Sequence, residues 1–290
     1  MAAAVAWVLN LDADLELAAA ARYTPTRRTL TAMKPHVATL ARTLLSPDDV
    51  LIDERTDRFA EGLVGRAFSP TPRALELLRR AGALPEAHPP LDVLRRVNSR
   101  AFCSALGPTL PGAAFVTELD VARAMLDGEP ALGGGFRLKR AFGLSGRGQR
   151  VVAPAAIAEA DLAFLHAALA EGGVQIEPNA AIETEWAMHG FIEKTGTIRL
   201  GALVRQRCDA RGAWLATERA DDVGSLGELP RRLAEETERV AHALIDAGYF
   251  GPFGVDAFTY RDRLGALCLQ PRSEINARYS MGFPIGFPRS

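Results

Sequence analysis

Two carboxylates and an amide near the end of the sequence are placed where they could share a metal ion. Asp256 lies in one apolar, strand-like segment, and Glu274 and Asn276 lie in the next one. Side chains two residues apart in a strand point to the same face, so Glu274 and Asn276 share a face and Ile275 points away. Because proteins hold magnesium with one or two carboxylates together with nucleotide phosphates, this set predicts a magnesium-nucleotide site.

The neighbours of these residues favour a metal site over a solvated edge strand. Val255 and Leu269 indicate a buried sheet, in which an unpaired carboxylate would be costly unless it coordinates a metal ion or pairs with another group. Arg278 follows two residues after Asn276, at a position from which it could contact a phosphate.

A glycine-rich segment lies between two strand-like segments in the middle of the chain. It comprises Gly143, Leu144, Ser145, Gly146, Arg147 and Gly148. It has no Gly-Lys-Ser/Thr ending and no helix after it, so it is neither a Walker A loop nor a dinucleotide-binding fingerprint. Its backbone amides could cover phosphates as the kinase glycine-rich loop does, although glycine-rich hairpins are also common structural turns. Lys139 on the preceding strand favours phosphate binding, with a solvated strand lysine as the alternative.

Acidic residues after the next helix are candidates for contacts with a nucleoside. Glu177 ends an apolar strand before Pro178, which fits either an ordinary strand end or a hinge whose backbone pairs with adenine. Glu183 and Glu185 alternate on the following strand and therefore share a face, where a carboxylate could accept hydrogen bonds from ribose hydroxyl groups.

The composition is that of a globular protein without a strong charge bias. The chain has 290 residues, 48% of them hydrophobic and 24% charged, and a formal net charge of -1. Binding of nucleic acid or of an anionic membrane through phosphates requires a local excess of Lys and Arg, so neither partner is expected. Several subdomains with well-formed cores are expected for this length.

The cysteines and the N-terminus point to the cytoplasm. Cys103, Cys208 and Cys268 are far apart and have no metal-binding spacing, so reduced thiols are expected. The apolar opening has no basic segment before it and is interrupted by Asp12 and Asp14, which makes it a poor signal peptide. No segment approaches the length of a membrane span.

The histidines suggest no second kind of chemistry. His166 and His189 are expected to be ordinary surface or core residues, because no Ser-His-Asp or Cys-His arrangement and no zinc spacing is present.

Hydrophobic periodicity predicts the elements that must position these residues. The first part of the chain has predicted strands at 5–10 and 49–53 and helices at 30–45 and from Pro72 to Gly82. One continuous helix is predicted from Leu91 to Leu106, followed by a helix at 119–127. Further strands are predicted at 136–140, 149–152, 174–177, 182–188, 198–206, 213–217, 253–260 and 265–270. Further helices are predicted at 157–171 and from Pro230 to Ala247.

Taken together, these residues resemble the ATP-grasp superfamily of carboxylate-amine ligases, with a match from about Leu94 to Arg278. The resemblance implies an α/β (α+β) fold in which two α+β subdomains, 93–172 and 173–290, clasp ATP. It also implies that residues 1–92 form a small α/β pre-ATP-grasp lobe.

The resemblance implies a role for each candidate residue. Lys139 matches the second phosphate-binding lysine, and Arg100 stands where the family usually has the first, which keeps the charge but changes its geometry. Residues 143–148 match the glycine-rich loop, Glu177 the hinge and Glu185 the ribose ligand. The metal ligands would be Asp256, Glu274 and Asn276, although the interval from Asp256 to Glu274 is a few residues longer than is common in the family.

The implied reaction requires ATP and Mg²⁺ or Mn²⁺. A substrate carboxylate attacks the γ-phosphate of ATP, and an amine displaces phosphate from the acyl phosphate, with Lys139 and Arg278 as catalytic residues. The implied partners are small-molecule carboxylate and amine substrates, with a homodimer allowed. A phosphotransferase on the same scaffold and a non-catalytic nucleotide-binding protein remain as alternatives.

The acceptor pocket is expected beside Arg278, Tyr279 and Met281, close to the N-terminal lobe. Arg205 and Arg207 are candidates for contact with a substrate carboxylate, or are structural. The tail at 283–288 either closes over the site or packs against a partner subunit.

Overall fold

The described part of the chain forms three β-sheets that are joined and covered by helices. The structure is a computed structural model, and it describes residues 3–19, 22–55, 60–107, 109–144, 147–153, 157–209, 212–220 and 223–287. The helices are α1 (Ala13–Ala18), α2 (Arg27–Leu44), α3 (Pro72–Arg80), α4 (Leu91–Val97), α5 (Arg100–Ala105), α6 (Leu119–Asp127), α7 (Glu159–Ala170), α8 (Leu229–Asp246) and α9 (Phe283–Gly286). The strands are β1 (Val5–Val8), β2 (Val50–Ile52), β3 (Val64–Ala67), β4 (Leu84–Pro85), β5 (Ala114–Val116), β6 (Phe136–Leu144), β7 (Arg147–Val152), β8 (Val174–Pro178), β9 (Ala181–Ile192), β10 (Ile198–Cys208), β11 (Trp214–Arg219), β12 (Gly251–Arg261) and β13 (Leu267–Asn276).

The first sheet is parallel and has the strand order β2-β1-β3-β4. Side chains alternate along β1, so Ala6 and Val8 pack with Leu78 of α3 while Trp7 packs with Leu40 of α2 on the other face. A parallel sheet buried by helices on both faces is the arrangement expected for an α/β lobe. Strands β3 and β4, which are short and rich in small residues, were not among the predicted elements.

The second sheet is antiparallel, in the order β5-β8-β6-β7, and places candidate residues on its free face. Leu138 of β6 and Ile176 of β8 are fully buried in a cluster with Leu165 of α7. Because side chains alternate along a strand, Lys139 and Glu177 point to the opposite face.

The third sheet is antiparallel, in the order β11-β10-β9-β12-β13. Val255 and Ile275 point from neighbouring strands into the core beneath α8, where they join Leu244. Asp256 lies opposite Glu274 in the ladder of β12 and β13, on the face that α8 does not cover.

The predicted helix from Leu91 to Leu106 is wrong, because the structure has two helices, α4 and α5, in this range. Asn98 interrupts the helix by donating to the carbonyl of Leu94 and accepting from the backbone amide of Ala277. The hydroxyl of Ser99 then accepts a hydrogen bond from the amide of Ala101 and caps α5. Asn and Ser side chains compete with helical hydrogen bonds in this way. As a result, Arg100 stands in the first turn of a new helix.

The end of the described chain packs against the first sheet. The backbone amide of Tyr279 donates to the carbonyl of Phe68, and the Tyr279 ring meets the Trp7 ring edge-on at 5.2 Å. Phe283 of α9 is buried in the same cluster. Residues 283–287 therefore pack within the chain against the first lobe, which is neither of the two alternatives predicted for the tail, and Pro288 lies outside the described residues.

His166 and His189 occupy a surface position and a core position, the two kinds of position predicted for them. His166 is exposed on α7, and His189 is buried in β9 with its Nε2 atom 2.9 Å from the Ser280 hydroxyl. Burial lowers the pKa of His189 to about 4. No helix in the described part of the chain is both long and apolar enough to cross a membrane.

Candidate functional site

A cavity of about 730 Å³ lies between the second and third sheets and extends to the first lobe. This volume is in the range of ligand sites, about 300 to 1,000 Å³. Nine residues of the predicted site line it: Arg100, Lys139, Gly143, Glu177, Glu185, Asp256, Glu274, Asn276 and Arg278. The fold therefore brings together residues from four separate parts of the sequence.

Lys139 and Glu177 form an ion pair on the free face of the second sheet. The Nζ atom of Lys139 lies 2.6 Å from Oε1 of Glu177, and the side chains are only 12% and 9% exposed. A buried ion pair of this kind is costly to break because the remaining charge loses its partner. The lysine therefore has a structural partner in addition to its predicted role with phosphates.

Arg100 connects the second and third sheets. Its guanidinium group donates to the carbonyl of Arg140 at 2.8 Å and to Oε1 of Glu274 at 2.9 Å. Its Nε atom is buried and has no hydrogen-bond partner among the described residues. Arg100 thus contacts one of the predicted metal ligands directly, and an arginine can reach both acceptors at once because its donors form a planar fork.

Asp256 accepts hydrogen bonds on both of its carboxylate oxygens. Gln206 of β10 donates to Oδ1 at 2.7 Å, and Asn276 donates to Oδ2 at 2.9 Å. Burial, together with the nearby charge of Glu274, raises the pKa of Asp256 to about 7. Sequence reasoning missed Gln206, since a lone glutamine in a strand belongs to no motif.

Arg278 is held by the first lobe. Its guanidinium group donates to both oxygens of Asp14 in α1, at 3.2 and 2.7 Å, and lies over the Phe68 ring at 5.1 Å from its centroid. Asp14 was not predicted as a partner of Arg278, because in the sequence it only interrupts the apolar N-terminal segment. The available signal was the acidic residue at every second position, Asp12, Asp14 and Glu16, and all three are buried.

The remaining predicted residues lie around the same cavity or outside the described chain. Glu185 lines the cavity opposite Gln206 in the ladder of β9 and β10. Burial, and then a hydrogen bond with Glu185, raise the pKa of the nearby Cys208 thiol. In the glycine-rich loop, Gly148 has a φ of 78°, whereas Ser145, Gly146 and the side chain of Arg147 lie outside the described residues.

Arg205 and Arg207 flank Gln206 on β10, and all three residues line the cavity. Arg207 pairs with Glu218 of β11 at 3.2 Å, and both side chains are more than half exposed. Arg207 therefore has a structural partner, and both arginines also belong to the lining of the cavity.

The oxygen donors suit a magnesium ion that is shared with phosphates. In the described part of the chain, no group of three His, Cys, Asp or Glu side chains could hold a metal ion. Asp256 and Glu274 supply two carboxylates, and the amide oxygen of Asn276 is the third candidate donor. Magnesium is usually bound by one or two carboxylates and by phosphates of the substrate, so this set fits that kind of site.

The two antiparallel sheets around this cavity, preceded by a parallel lobe, form the ATP-grasp fold. This assignment rests on solved structures that match nearly the whole chain, and it confirms at the level of the fold the resemblance seen in the sequence. No protein-family model matches the sequence, and a search of curated proteins finds no match.

Three of the similar structures illustrate the match. Biotin carboxylase from Campylobacter jejuni in complex with βγ-ATP has a TM-score of 0.58 and 14% identity, over 97% of this chain and 67% of that one. N5-carboxyaminoimidazole synthetase from Staphylococcus aureus with ADP has a TM-score of 0.52 and 15% identity, over 97% and 73% of the two chains. N5-carboxyaminoimidazole ribonucleotide synthetase from Thermus thermophilus has a TM-score of 0.52 and 21% identity, over 95% and 71%.

Proposed function

We propose that the protein is an ATP- and magnesium-dependent ligase that activates a carboxylate as an acyl phosphate for attack by an amine. One observation carries the proposal: the buried Arg100 and the partly buried Lys139 converge with the carboxylates Asp256 and Glu274 in one cavity. Cations for phosphates and oxygen atoms for a divalent ion are the parts that phosphoryl transfer from ATP requires.

The two cations of the proposed nucleotide site are each paired with one of its carboxylates. Arg100 is paired with Glu274, and Lys139 is paired with Glu177. Phosphate oxygens would compete for these two cations and leave Glu274 available as a metal ligand. Asp256, Glu274 and Asn276 would hold Mg²⁺, which when bound would neutralise charge on the β- and γ-phosphates.

The proposed reaction has two steps, and this chain's residues act in each by position and charge. In the first, an oxygen of the substrate carboxylate attacks the γ-phosphorus and the bond to the β-phosphate oxygen breaks, which releases ADP. In the second, an amine attacks the acyl carbon, releasing phosphate and a proton and forming an amide. Arg278 at the cavity wall would stabilise charge on the transferred group, which would compete with Asp14 for its donors. The glycine-rich loop, of which Gly143 lines the cavity, would exclude water from the acyl phosphate.

The similar structures support the nucleotide part of the proposal. The Staphylococcus aureus synthetase is complexed with ADP, and the biotin carboxylase is complexed with βγ-ATP. An identity of 14% to 21% leaves the substrates of this chain open. ATP and Mg²⁺ are therefore inferred from the geometry of the site, and the acceptors of the similar proteins are not assigned to this chain.

Calorimetric titration with a non-hydrolysable ATP analogue, with and without magnesium, tests the site. We expect magnesium-dependent binding that is lost in Glu274→Ala and retained in Glu235→Ala, a control on the exposed side of α8. Absence of binding to the unmodified protein would refute the proposed function.

Product analysis separates the ligase from its alternatives. A ligase releases ADP, phosphate and an amide when it is given a suitable acid and amine. A phosphotransferase leaves a phosphorylated product, and nucleotide binding without turnover for every substrate pair would indicate a non-catalytic binding protein.

A further inference from the structure

The cavity has a second end, beyond Arg278, whose chemistry differs from that of the nucleotide end. We call it the acceptor end and define it by six lining residues: Leu11, Met33, His36, Phe68, Trp214 and Met281. Four come from the first lobe, one from β11 and one from the segment before α9. Because it adjoins the site of the proposed phosphoryl transfer, it is the place for the second substrate.

The acceptor end is apolar and largely preformed. Leu11, Met33 and Phe68 are 4% to 8% exposed and belong to one hydrophobic cluster, to which Met281 is also packed. His36 of α2 meets the Trp214 ring edge-on at 6.2 Å and so connects the first lobe to the third sheet across the cavity. Thioether and aromatic groups of this kind accommodate aliphatic or aromatic ligand groups.

The charges at this end do not suit a phosphorylated ligand. Of the six residues that define the acceptor end, only His36 can carry a positive charge. Arg205 and Arg207 line the same cavity from β10, where Arg207 is paired with Glu218. Arg278 borders the acceptor end, but its donors are used by Asp14 and by the Tyr279 carbonyl, and its proposed role is with the phosphoryl group in transfer, so it does not supply a further cation for a phosphate on the second substrate. Recognition of a phosphate group normally uses cations or amide donors that are free to point at the ligand.

We propose that the second substrate is an unphosphorylated amine or carboxylic acid with an aliphatic or aromatic group that lies between Met33 and Trp214. This inference rests on the proposed function, since it assigns the acceptor of that same reaction. The reacting amine or carboxylate would face Arg278 and Glu274, and the apolar group would fill the acceptor end. The fit is hydrophobic, so recognition depends on the removal of apolar surface from water.

Calorimetry on the protein saturated with Mg²⁺ and the ATP analogue tests the assignment. The apolar probes are L-leucine, L-phenylalanine and 3-phenylpropionate, and the phosphorylated probes are O-phospho-L-serine and ribose 5-phosphate. We expect at least one apolar probe to bind more tightly than both phosphorylated ones.

Two variants locate the binding. Met33→Lys should weaken binding of the apolar probe by about tenfold or more, because a cation replaces an apolar contact. Lys34→Ala, on the exposed side of α2, is the matched control and should leave it unchanged. Both variants should bind the ATP analogue as the unmodified protein does.

The outcomes distinguish this inference from the proposed function. Tighter binding of a phosphorylated probe, or unchanged binding of the apolar probe in Met33→Lys, would overturn the substrate class. Binding of the ATP analogue without any apolar probe would overturn it too, while the proposed nucleotide site would stand. Failure to bind the ATP analogue would instead refute the proposed function itself.

Discussion

Replacing Lys139 should separate its structural role from its proposed role in nucleotide binding. Lys139→Met keeps the length and apolar stem of the side chain but removes the charge. Glu177 is then left 9% exposed without the cation that lies 2.6 Å away. Removing one partner of a buried ion pair typically costs about 3 kcal/mol or more, so this variant should be clearly less stable.

The double variant Lys139→Met/Glu177→Gln removes both charges and should regain most of the stability. Replacing both partners of a buried pair by neutral groups is often close to neutral in free energy, so we expect its stability to lie within about 1 kcal/mol of the original. Nucleotide binding should not recover, because the phosphates would still lack the lysine. Loss of a charge-assisted hydrogen bond of about 1.5 to 3 kcal/mol corresponds to roughly 10- to 100-fold weaker binding.

Unfolding in guanidinium chloride measures the stability of the variants, and calorimetric titration with the Mg²⁺ complex of the ATP analogue measures their nucleotide binding. A loss of about 3 kcal/mol should also lower the melting temperature by about 6 °C or more. Lys194→Met, which changes an exposed lysine in the β9–β10 hairpin, is the control for both assays. If Lys139→Met is as stable as the original, or if the double variant binds nucleotide normally, the reasoning is refuted.

Three further predictions follow from the same structure. The pKa of buried His189 is lowered from 6.5 to about 4, so the unfolded state binds more protons than the folded state between these pH values. The free energy of unfolding should therefore fall as the pH drops from 6.5 to 4, and unfolding curves at several pH values should show a smaller fall for His189→Gln. Gly173→Ala should lower the free energy of unfolding by about 1 kcal/mol more than Gly172→Ala, because both glycines have positive φ but only at Gly173 would a Cβ meet the Phe115 ring, at 2.5 Å. Equal losses of stability in the two variants would contradict the clash. Arg100→Ala should weaken binding of the ATP analogue at least about tenfold, whereas Arg100→Lys, which keeps the charge, should retain most of the binding. If calorimetry finds the same affinity for both variants, the charge at this position is not used in binding.

The sequence predicted most of the third sheet because its strands carry strong local patterns. Alternation correctly placed Glu274 and Asn276 on the face opposite Ile275, which packs under α8. Long apolar strands also gave approximate bounds for β9, β10 and β12. The residue types of the site could be predicted for the same reason. Side-chain chemistry and the two-residue alternation of a strand are both local properties of the chain.

The break between α4 and α5 was missed because apolar periodicity continues across it. Asn98 ends α4 through a hydrogen bond to Ala277, a residue 179 positions away in the chain. No local pattern contains that partner. The position of Arg100 in the site therefore depended on a tertiary contact.

The sequence by itself determined which groups could act on a nucleotide: cations, a glycine-rich loop, and oxygen ligands at strand spacing. Only the tertiary structure decided how they pair, since Arg100 meets Glu274 across 174 positions and Arg278 meets Asp14 across 264. The neutralisation of Arg278 and the apolar acceptor end were equally invisible in the sequence. The physical reason is that propensity and periodicity act over a few residues, whereas partners of buried charges are chosen by the packing of distant elements.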